Sequence, residues 1–202
     1  MRPWVTILAA LVLVTSAHAQ STGPPTYSVG DTWKRSNGLE ITVIKVEENG
    51  VQMAGFLRTC PTCVYHFDKN LTILNATQAD GKPLDVTQHG FIPLGSDWRF
   101  LDFPLEVKKT WRISPQGWFR GSPARYTVDF TVVAYEDVKT KAGTFKAYKI
   151  QQEWATITPL RGDPIRWSSV LWFAPDVKLS VKFTTTGRGE TQDWELTSYG
   201  LK

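Results

Sequence analysis

Apolar and polar residues alternate with a period of two along much of the chain, which is the pattern of a half-buried β-strand. The alternation is clearest in LEITVIKVEENGVQMAGFLR, residues 39–58. It runs on both sides of Glu48-Asn49-Gly50. Asn-Gly between two such runs is a strong hairpin signal, because both residues tolerate the positive φ of a tight primed turn. The sequence therefore predicts a β-hairpin with its turn at these residues.

Further short runs rich in Val, Ile, Thr, Tyr, Phe and Trp predict more strands, each bounded by Gly, Pro, Asn or Asp. These strands are Tyr65–Leu74, Arg125–Val138, Phe145–Ile157, Ile165–Phe173, Val177–Thr185 and Glu190–Tyr199. After residue 19, we find no window of about 11 residues with the 3.6-residue period of an amphipathic helix. The fold class is therefore all-β, an antiparallel barrel or sandwich.

The two halves of the chain, about residues 27–90 and 105–200, echo one another. YSVGDTW (27–33) parallels LEVKKTW (105–111), YHFDKNLTI (65–73) parallels LWFAPDVKL (171–179), and DVTQHG (85–90) parallels ELTSYG (195–200). An internal repeat predicts two half-sheets that match Trp33 with Trp111 and Phe67 with Phe173. Strand-turn-strand units that share aromatic and turn residues by chance are the alternative explanation, and both stay open.

The first 19 residues have the pattern of a secretory signal peptide. Arg2 is followed by an apolar run of ten residues, Val5–Val14, and then by the small-x-small site Ala17-His18-Ala19. Such a pattern is typical of a leader cut before residue 20. The apolar run is shorter than the roughly 20 residues that span a bilayer. We therefore expect residues 20–202 to form one exported β-rich domain without a membrane span, periplasmic or secreted.

Charge and composition narrow the classes of partner. After residue 19 the chain has 22 basic and 19 acidic residues, and the basic residues are scattered rather than grouped in runs of five or six. This distribution gives no basic stripe for nucleic acid. Eight tryptophans remain, and we expect most of them in the core, because aromatic side chains bury large areas and suit a pleated sheet.

AGTFKAYKI (142–150) and LWFAPDVKLSVKF (171–183) resemble a recurrent pattern in uncharacterised exported β-rich proteins of Gram-negative bacteria. That group is classed as a domain of unknown function, and it is similar in general shape to envelope β-barrel and sandwich modules. The resemblance covers mainly residues 100–200, with VGDTW (29–33) as weaker support. It implies an exported β-rich protein, and it brings no catalytic residue or cofactor.

The stretch FLRTCPTCVYHF, residues 56–67, contains both cysteines. A catalytic dithiol needs a helix N-terminus to lower the thiol pKa, whereas the residues after Cys63 alternate like a strand. A metal site could use Cys60, Cys63 and His66, but a structural zinc site needs a fourth ligand. A disulfide across a turn fits an exported chain with two cysteines. The sequence favours the disulfide, with thiol-redox or metal binding as the alternative.

Strand parity predicts an aromatic interior. Trp154 shares a face with Gln152 and Ile150, and Trp167 shares one with Ser169 and Leu171. Such rings either interlock into a solid core or leave an apolar cavity for a hydrophobic ligand. The candidate ligand-binding residues are Trp154, Trp167, Trp172, Phe173 and Arg166, where the arginine would meet an acidic head group. The expected function is a non-enzymatic periplasmic binding or envelope-accessory module for a hydrophobic small molecule or an envelope protein, without a cofactor.

Overall fold

The structure is a computed structural model that describes residues 21–85, 93–95, 97–119, 122–159, 162–187 and 192–202. The predicted signal peptide, residues 1–19, lies outside the described residues. The strands are β1 (Thr32–Arg35), β2 (Glu40–Glu47), β3 (Gly50–Ala54), β4 (Val64–Asp68), β5 (Ile73–Thr77), β6 (Thr110–Ile113), β7 (Gln116–Phe119), β8 (Ser122–Thr140), β9 (Gly143–Ile157), β10 (Ile165–Ala174), β11 (Leu179–Gly187) and β12 (Trp194–Gly200). A one-turn 3-10 helix spans Pro175–Val177. Among the described residues, no helix has the length and apolarity needed to cross a membrane.

All the strands belong to one antiparallel sheet. Its order is β5-β4-β3-β2-β1-β12-β11-β10-β9-β8-β6, and β7 also pairs with β8. The sheet is open: β5 forms one end, and β6 with β7 forms the other. The first and last strands of the chain meet at the centre, where Trp33 pairs with Tyr199. The prediction of an all-β, antiparallel, sandwich-like or barrel-like fold is confirmed.

One hydrophobic core is shared by both halves of the sheet. Trp33 on β1 is fully buried, as are Ile41 on β2, Tyr148 on β9 and Leu196 on β12. The indole Nε1 of Trp33 donates a hydrogen bond to the carbonyl of Val177, at 2.8 Å, between β10 and β11. The sheet therefore curls so that inner-face side chains of distant strands meet, and alternate residues on each strand point to this core.

The β2–β3 hairpin forms where the sequence predicts it, but for a different reason at Gly50. Neither Asn49 nor Gly50 has the positive φ that a primed turn requires. Instead, Gly50 pairs with Asp68 on β4, and a Cβ atom at Gly50 would lie 1.9 Å from the carbonyl oxygen of Phe67. The glycine is needed because two strands approach closely there.

The predicted strand Tyr65–Leu74 is two strands, β4 and β5, joined by a tight turn. The Asp68 carboxylate accepts hydrogen bonds from the amides of Asn70 and Thr72, each at 2.8 Å. Leu71 takes a positive φ of 60° within this turn. An aspartate that bonds the backbone two residues ahead is a turn former, and this local effect overrides the apolar run. The other predicted strands correspond to β8 to β12, with Val177 in the 3-10 turn rather than in β11. The last predicted strand, Glu190–Tyr199, corresponds to β12 from Trp194 onward, and its residues 190–191 lie outside the described residues.

Candidate functional site

The inner face of β9 and β10 contains a buried polar pair below the aromatic side chains. Trp154 donates from Nε1 to Ser169 Oγ at 3.0 Å, and Ser169 Oγ donates to Gln152 Oε1 at 2.8 Å. Gln152 and Ser169 are only 2% and 1% exposed. Because these groups satisfy each other, this part of the interior is packed and stable. The predicted parity of Trp154 with Gln152 agrees with this geometry.

An aromatic strip continues along the inner face from this packed region, and its side chains are only half-buried. We call it the inner-face strip, and its members are Trp167, Leu171, Phe183 and Trp194. Trp167 stacks on Trp154 with ring centroids 5.2 Å apart, and Phe183 stacks on Trp194 at 6.1 Å. Strand register places Leu171 opposite Phe183, and Phe183 opposite Trp194. The strip is thus one continuous apolar surface across β10, β11 and β12.

Arg35 lies at the β12 end of the inner-face strip. Its guanidinium carbon lies 3.9 Å from the ring centroid of Trp194 and 5.1 Å from that of Phe56. The side chain is only 8% exposed although it carries a positive charge. Burial lowers the pKa of the guanidinium to about 9, so it stays charged at neutral pH. Cation–π contact with two rings stabilises a buried charge only in part, because its N–H donors still need acceptors.

The five predicted ligand residues do not form one site. Trp154 and Trp167 lie on the inner face, whereas Trp172 lies on the outer face, opposite Lys149 of β9. Trp172 donates from Nε1 to the Glu136 carboxylate at 3.0 Å and has Lys149 and Lys182 over its ring. Arg166 is exposed, and its register with Ala155 places it on the same outer face as Trp172. The structure therefore divides the predicted set between the two faces of the sheet.

Phe173 is buried and lies beside a small cleft. The ring packs edge-on against Phe103 with centroids 5.4 Å apart. The cleft has a volume of about 290 Å³ and is lined by Thr22, Gly23, Pro24, Pro25, Thr26, Phe173, Pro175 and Lys178. Its volume is near the lower limit for small-molecule pockets, which is about 300 Å³. The Lys178 ammonium is already paired with the Asp31 carboxylate at 3.0 Å, so the cleft offers no free cation.

A second cleft, of about 450 Å³, lies along β6. Its lining residues are Asp97, Arg99, Asp102, Trp111, Arg112, Ile113 and Ser114. Most of its charges are paired within the protein. Arg99 and Lys109 both bind the Asp102 carboxylate, at 2.8 and 2.9 Å, and Arg112 forms a two-pronged pair with Asp129. This cleft is therefore charged but largely neutralised.

The two cysteines form a disulfide in the loop between β3 and β4, as predicted. The Cys63 side chain is fully buried and that of Cys60 is 8% exposed. The residues that follow are strand β4, not a helix, so the local setting that activates a catalytic thiol is missing. His66 lies on β4, and both sulfurs are in the disulfide, which leaves no thiolate for the alternative metal site. Among the described residues, no group of three His, Cys, Asp or Glu is placed to hold a metal.

Sequence reasoning missed Arg35, Phe183 and Trp194. A signal for Arg35 existed, because it stands two residues after Trp33 and so shares the inward parity of that residue on β1. A charged residue at a core position of a strand is unusual and points to a special role. For Phe183 and Trp194 there was no local signal, because their stacking depends on the pairing of β11 with β12.

Comparisons with known proteins agree with the resemblance in the sequence. Residues 112–186 match the DUF3108-like family model. The DUF3108-like region runs from β6 into β11 and contains both AGTFKAYKI and LWFAPDVKLSVKF. The resemblance to uncharacterised exported β-rich proteins is therefore confirmed. No curated protein is detectably similar to the chain.

Three solved structures are similar to the chain at low sequence identity. A protein of Parabacteroides distasonis, inferred to be a lipoprotein, is 16% identical, with a TM-score of 0.51 over 90% of this chain and 100% of its own. The hypothetical lipoprotein YmcC of Escherichia coli is 11% identical, with a TM-score of 0.44 over 90% of each chain. A Bacteroides fragilis protein, inferred to be exported and described as having a YmcC-like fold, is 14% identical, with a TM-score of 0.41 over 90% of this chain and 100% of its own. The first of these matches establishes the shared fold.

Proposed function

We propose that the protein is a non-enzymatic binding module of the bacterial cell envelope, and that it takes a hydrophobic small molecule on the inner-face strip. The observation that carries this proposal is the half-buried state of the strip. Its neighbours on β9, such as Ile150 and Gln152, are at most 2% exposed, whereas Trp167, Leu171, Phe183 and Trp194 remain half-buried. Protein interiors pack to crystal-like density, so a continuous aromatic surface left partly open is suited to a ligand.

An exported location supports an envelope role. The chain begins with a leader pattern, and the fold is shared with a Parabacteroides distasonis protein inferred to be a lipoprotein. Sites for small molecules are mostly apolar with a few polar groups that fix orientation. The strip has this composition, because its side chains are apolar or aromatic and the Arg35 guanidinium lies over Trp194 at its β12 end.

The test is a titration of the mature protein with a neutral environment-sensitive dye, 1-N-phenylnaphthylamine, followed by dye and tryptophan fluorescence. We expect saturable binding, and Trp167→Ala or Phe183→Ala should weaken it about tenfold or more, since full burial of a large apolar side chain is worth about 1.5–3 kcal/mol. Trp172→Ala is the matched control, because Trp172 lies on the same strand but on the outer face, and it should leave binding unchanged. Circular dichroism checks that each variant folds. Absence of saturable binding, or equal effects of Trp167→Ala and Trp172→Ala, would contradict the proposal.

A further inference from the structure

The Arg35 guanidinium has fewer hydrogen-bond partners than a buried charge requires. Its Nη1 reaches the Phe56 carbonyl at a long 3.4 Å, and its Nε is buried without any partner. Among the described residues, no carboxylate forms an ion pair with it. Asp193, next to Trp194 in sequence, is exposed, and its carboxylate accepts a hydrogen bond from the Thr185 amide. A guanidinium has five N–H donors in a planar fork, so most of its capacity is unused.

A second unsatisfied polar atom lies on the same surface. The Thr185 Oγ1 atom is buried and has no hydrogen-bond partner. Thr185 lies two residues after Phe183 on the inner face of β11, about 7 Å along the strand. Phe183 is directly opposite Trp194, which is the ring below Arg35. The Thr185 hydroxyl and the Arg35 guanidinium, both short of hydrogen-bond partners, thus lie beside the same pair of rings, Phe183 and Trp194.

Burial of these groups is costly unless something supplies acceptors. An unpaired buried polar atom costs about 1–3 kcal/mol, and more for a charged group. A protein that only needed a filled core could place a methionine or leucine at either position. An anion with several acceptor oxygens would supply acceptors to these groups, and the planar guanidinium of arginine matches carboxylate and phosphate oxygens.

We propose that Arg35 and Thr185 form the head-group site for an anionic amphiphile whose hydrocarbon part lies on the inner-face strip. The proposal rests on the proposed function and adds the chemical class of its ligand. Two oxygens of a carboxylate or phosphate group accept hydrogen bonds from the Arg35 guanidinium, and the Thr185 hydroxyl donates a hydrogen bond to the same group. Phe56 and Trp194 enclose the guanidinium, exclude water from the pair, and so strengthen the electrostatic attraction. The apolar chain then continues over Phe183 towards Trp167.

The experiment compares three 12-carbon probes, each kept below its micelle concentration: dodecanoate, dodecyl phosphate and neutral dodecanol. Displacement of 1-N-phenylnaphthylamine from the mature protein gives their relative affinities. We expect at least one anionic probe to bind about tenfold or more tightly than dodecanol, because hydrogen bonds to charged groups are the strong ones. The ratio between dodecanoate and dodecyl phosphate identifies the head group.

Variants then assign that preference to the two residues. Arg35→Gln should bring the ratio of anion affinity to dodecanol affinity to about one, whereas Arg35→Lys should retain part of the preference for the anion. Lys34→Gln is the matched control on the same strand, since Lys34 is exposed and paired with Glu40. Thr185→Val should lower only the affinity for the anion. It should fold at least as well as the wild type, because its hydroxyl has no partner to lose.

The outcomes separate the two proposals. If the dye binds but anionic and neutral probes compete equally, the proposed function stands and the head-group site is wrong. The head-group site is also wrong if Arg35→Gln and Lys34→Gln have the same effect, because Arg35 then serves only to stack between Phe56 and Trp194. If neither the dye nor any probe binds, both proposals fail.

Discussion

The disulfide loop shows how a few residues fix a turn between two strands. The Cys63 amide donates to the Cys60 carbonyl at 3.2 Å, and the Tyr65 hydroxyl donates to the same carbonyl at 2.9 Å. Tyr65 is fully buried, and burial raises the pKa of its phenol to about 12, so it remains a donor through the neutral range. The loop is therefore held by covalent, backbone and side-chain bonds together, and its sulfurs are shielded from solvent.

Removal of the disulfide should have a modest effect on stability. Closure of a four-residue loop by a disulfide stabilises the folded state by about 2 kcal/mol in the chain-entropy estimate. The variant with both Cys60→Ser and Cys63→Ser should therefore have a free energy of unfolding lower by about 2 kcal/mol, as measured by urea unfolding. Alkylation of the unfolded wild type should label two thiols only after reduction. Because both sulfurs are buried, we expect no turnover in an insulin-reduction assay, and turnover that Cys60→Ser abolishes would contradict a purely structural bond.

At the scale of strands, the turns that precede β1 and β6 have a similar pattern of backbone hydrogen bonds. The Gly30 amide donates a hydrogen bond to the Val43 carbonyl at 2.9 Å, and the Val43 amide donates one to the Asp31 carbonyl at 2.9 Å. In the second half, the Lys108 amide donates a hydrogen bond to the Val132 carbonyl at 2.8 Å, and the Val132 amide donates one to the Lys109 carbonyl at 2.9 Å. The pairing register then shifts directly after both valines, and again next to Phe67 on β4 and Phe173 on β10.

We propose on these grounds that the halves are copies of one β-unit. The two halves differ at their matched tryptophans. Trp33 is fully buried and its indole donates a hydrogen bond to the Val177 carbonyl, whereas Trp111 is half-buried and its indole donates one to the Arg99 carbonyl. Trp111 stacks on Phe130 of β8 at 4.7 Å, which places it beside an edge of the open sheet. Strands at the centre and at the end of one sheet meet different neighbours, so equivalent residues differ in burial.

The equivalence of Gly30 and Lys108 gives a direct test. Both have positive φ, 91° and 77°, and a residue with a Cβ loses about 1 kcal/mol in this conformation relative to glycine. Lys108 is exposed, so Lys108→Gly should raise the free energy of unfolding by about 1 kcal/mol. Gly30→Ala should lower it by a similar amount. Urea unfolding measures both, and destabilisation by Lys108→Gly would show that the two backbone turns are not equivalent.

Strand-level structure was largely predictable, because alternation depends on the sequence within each strand. Strands β8, β9 and β10 begin and end within a few residues of their predicted bounds, and the inward parity of Trp154 follows from the same rule. The candidate site was less predictable. Trp172 was grouped with Trp167, yet an offset of five positions on one strand places them on opposite faces. Arg35 meets Trp194 only through the pairing of β1 with β12, a long-range register that local patterns do not contain.

At the scale of the whole molecule, Asp31 joins both ends of the described chain. The carboxylate is fully buried and accepts hydrogen bonds from the Ser28 amide at 3.0 Å, the Lys202 amide at 2.7 Å and the Lys178 ammonium at 3.0 Å. It therefore connects the segment before β1, the turn before β11 and the residues after β12. These contacts close the seam at which the first and last strands meet in the centre of the sheet.

The charge of Asp31 makes the stability of this junction between β1 and β12 depend on pH. Burial raises the pKa of the carboxyl, but the hydrogen bonds from Lys202, Ser28 and Lys178 outweigh that effect, so the pKa lies below its ordinary value. A carboxyl with a lowered pKa in the folded state contributes stability that is present above the unfolded pKa, about 3.9. That contribution is lost as the pH falls towards the folded pKa, because the unfolded chain binds the proton first.

Asp31→Asn should therefore lower the free energy of unfolding at pH 7 by about 3 kcal/mol, since removal of one partner leaves the Lys178 ammonium uncompensated. The difference between variant and wild type should shrink below about pH 4, where protonation of Asp31 opposes folding in the wild type alone. Asp80→Asn is the control: Asp80 pairs with Lys82 at 2.8 Å, and both side chains are largely exposed, so the loss of stability there should be much smaller than for Asp31→Asn at every pH. Urea unfolding at pH 7, 5 and 3 measures all three proteins. A cost of Asp31→Asn that does not vary with pH would contradict this account, because the loss would then come from altered hydrogen-bond geometry and not from the charge of Asp31.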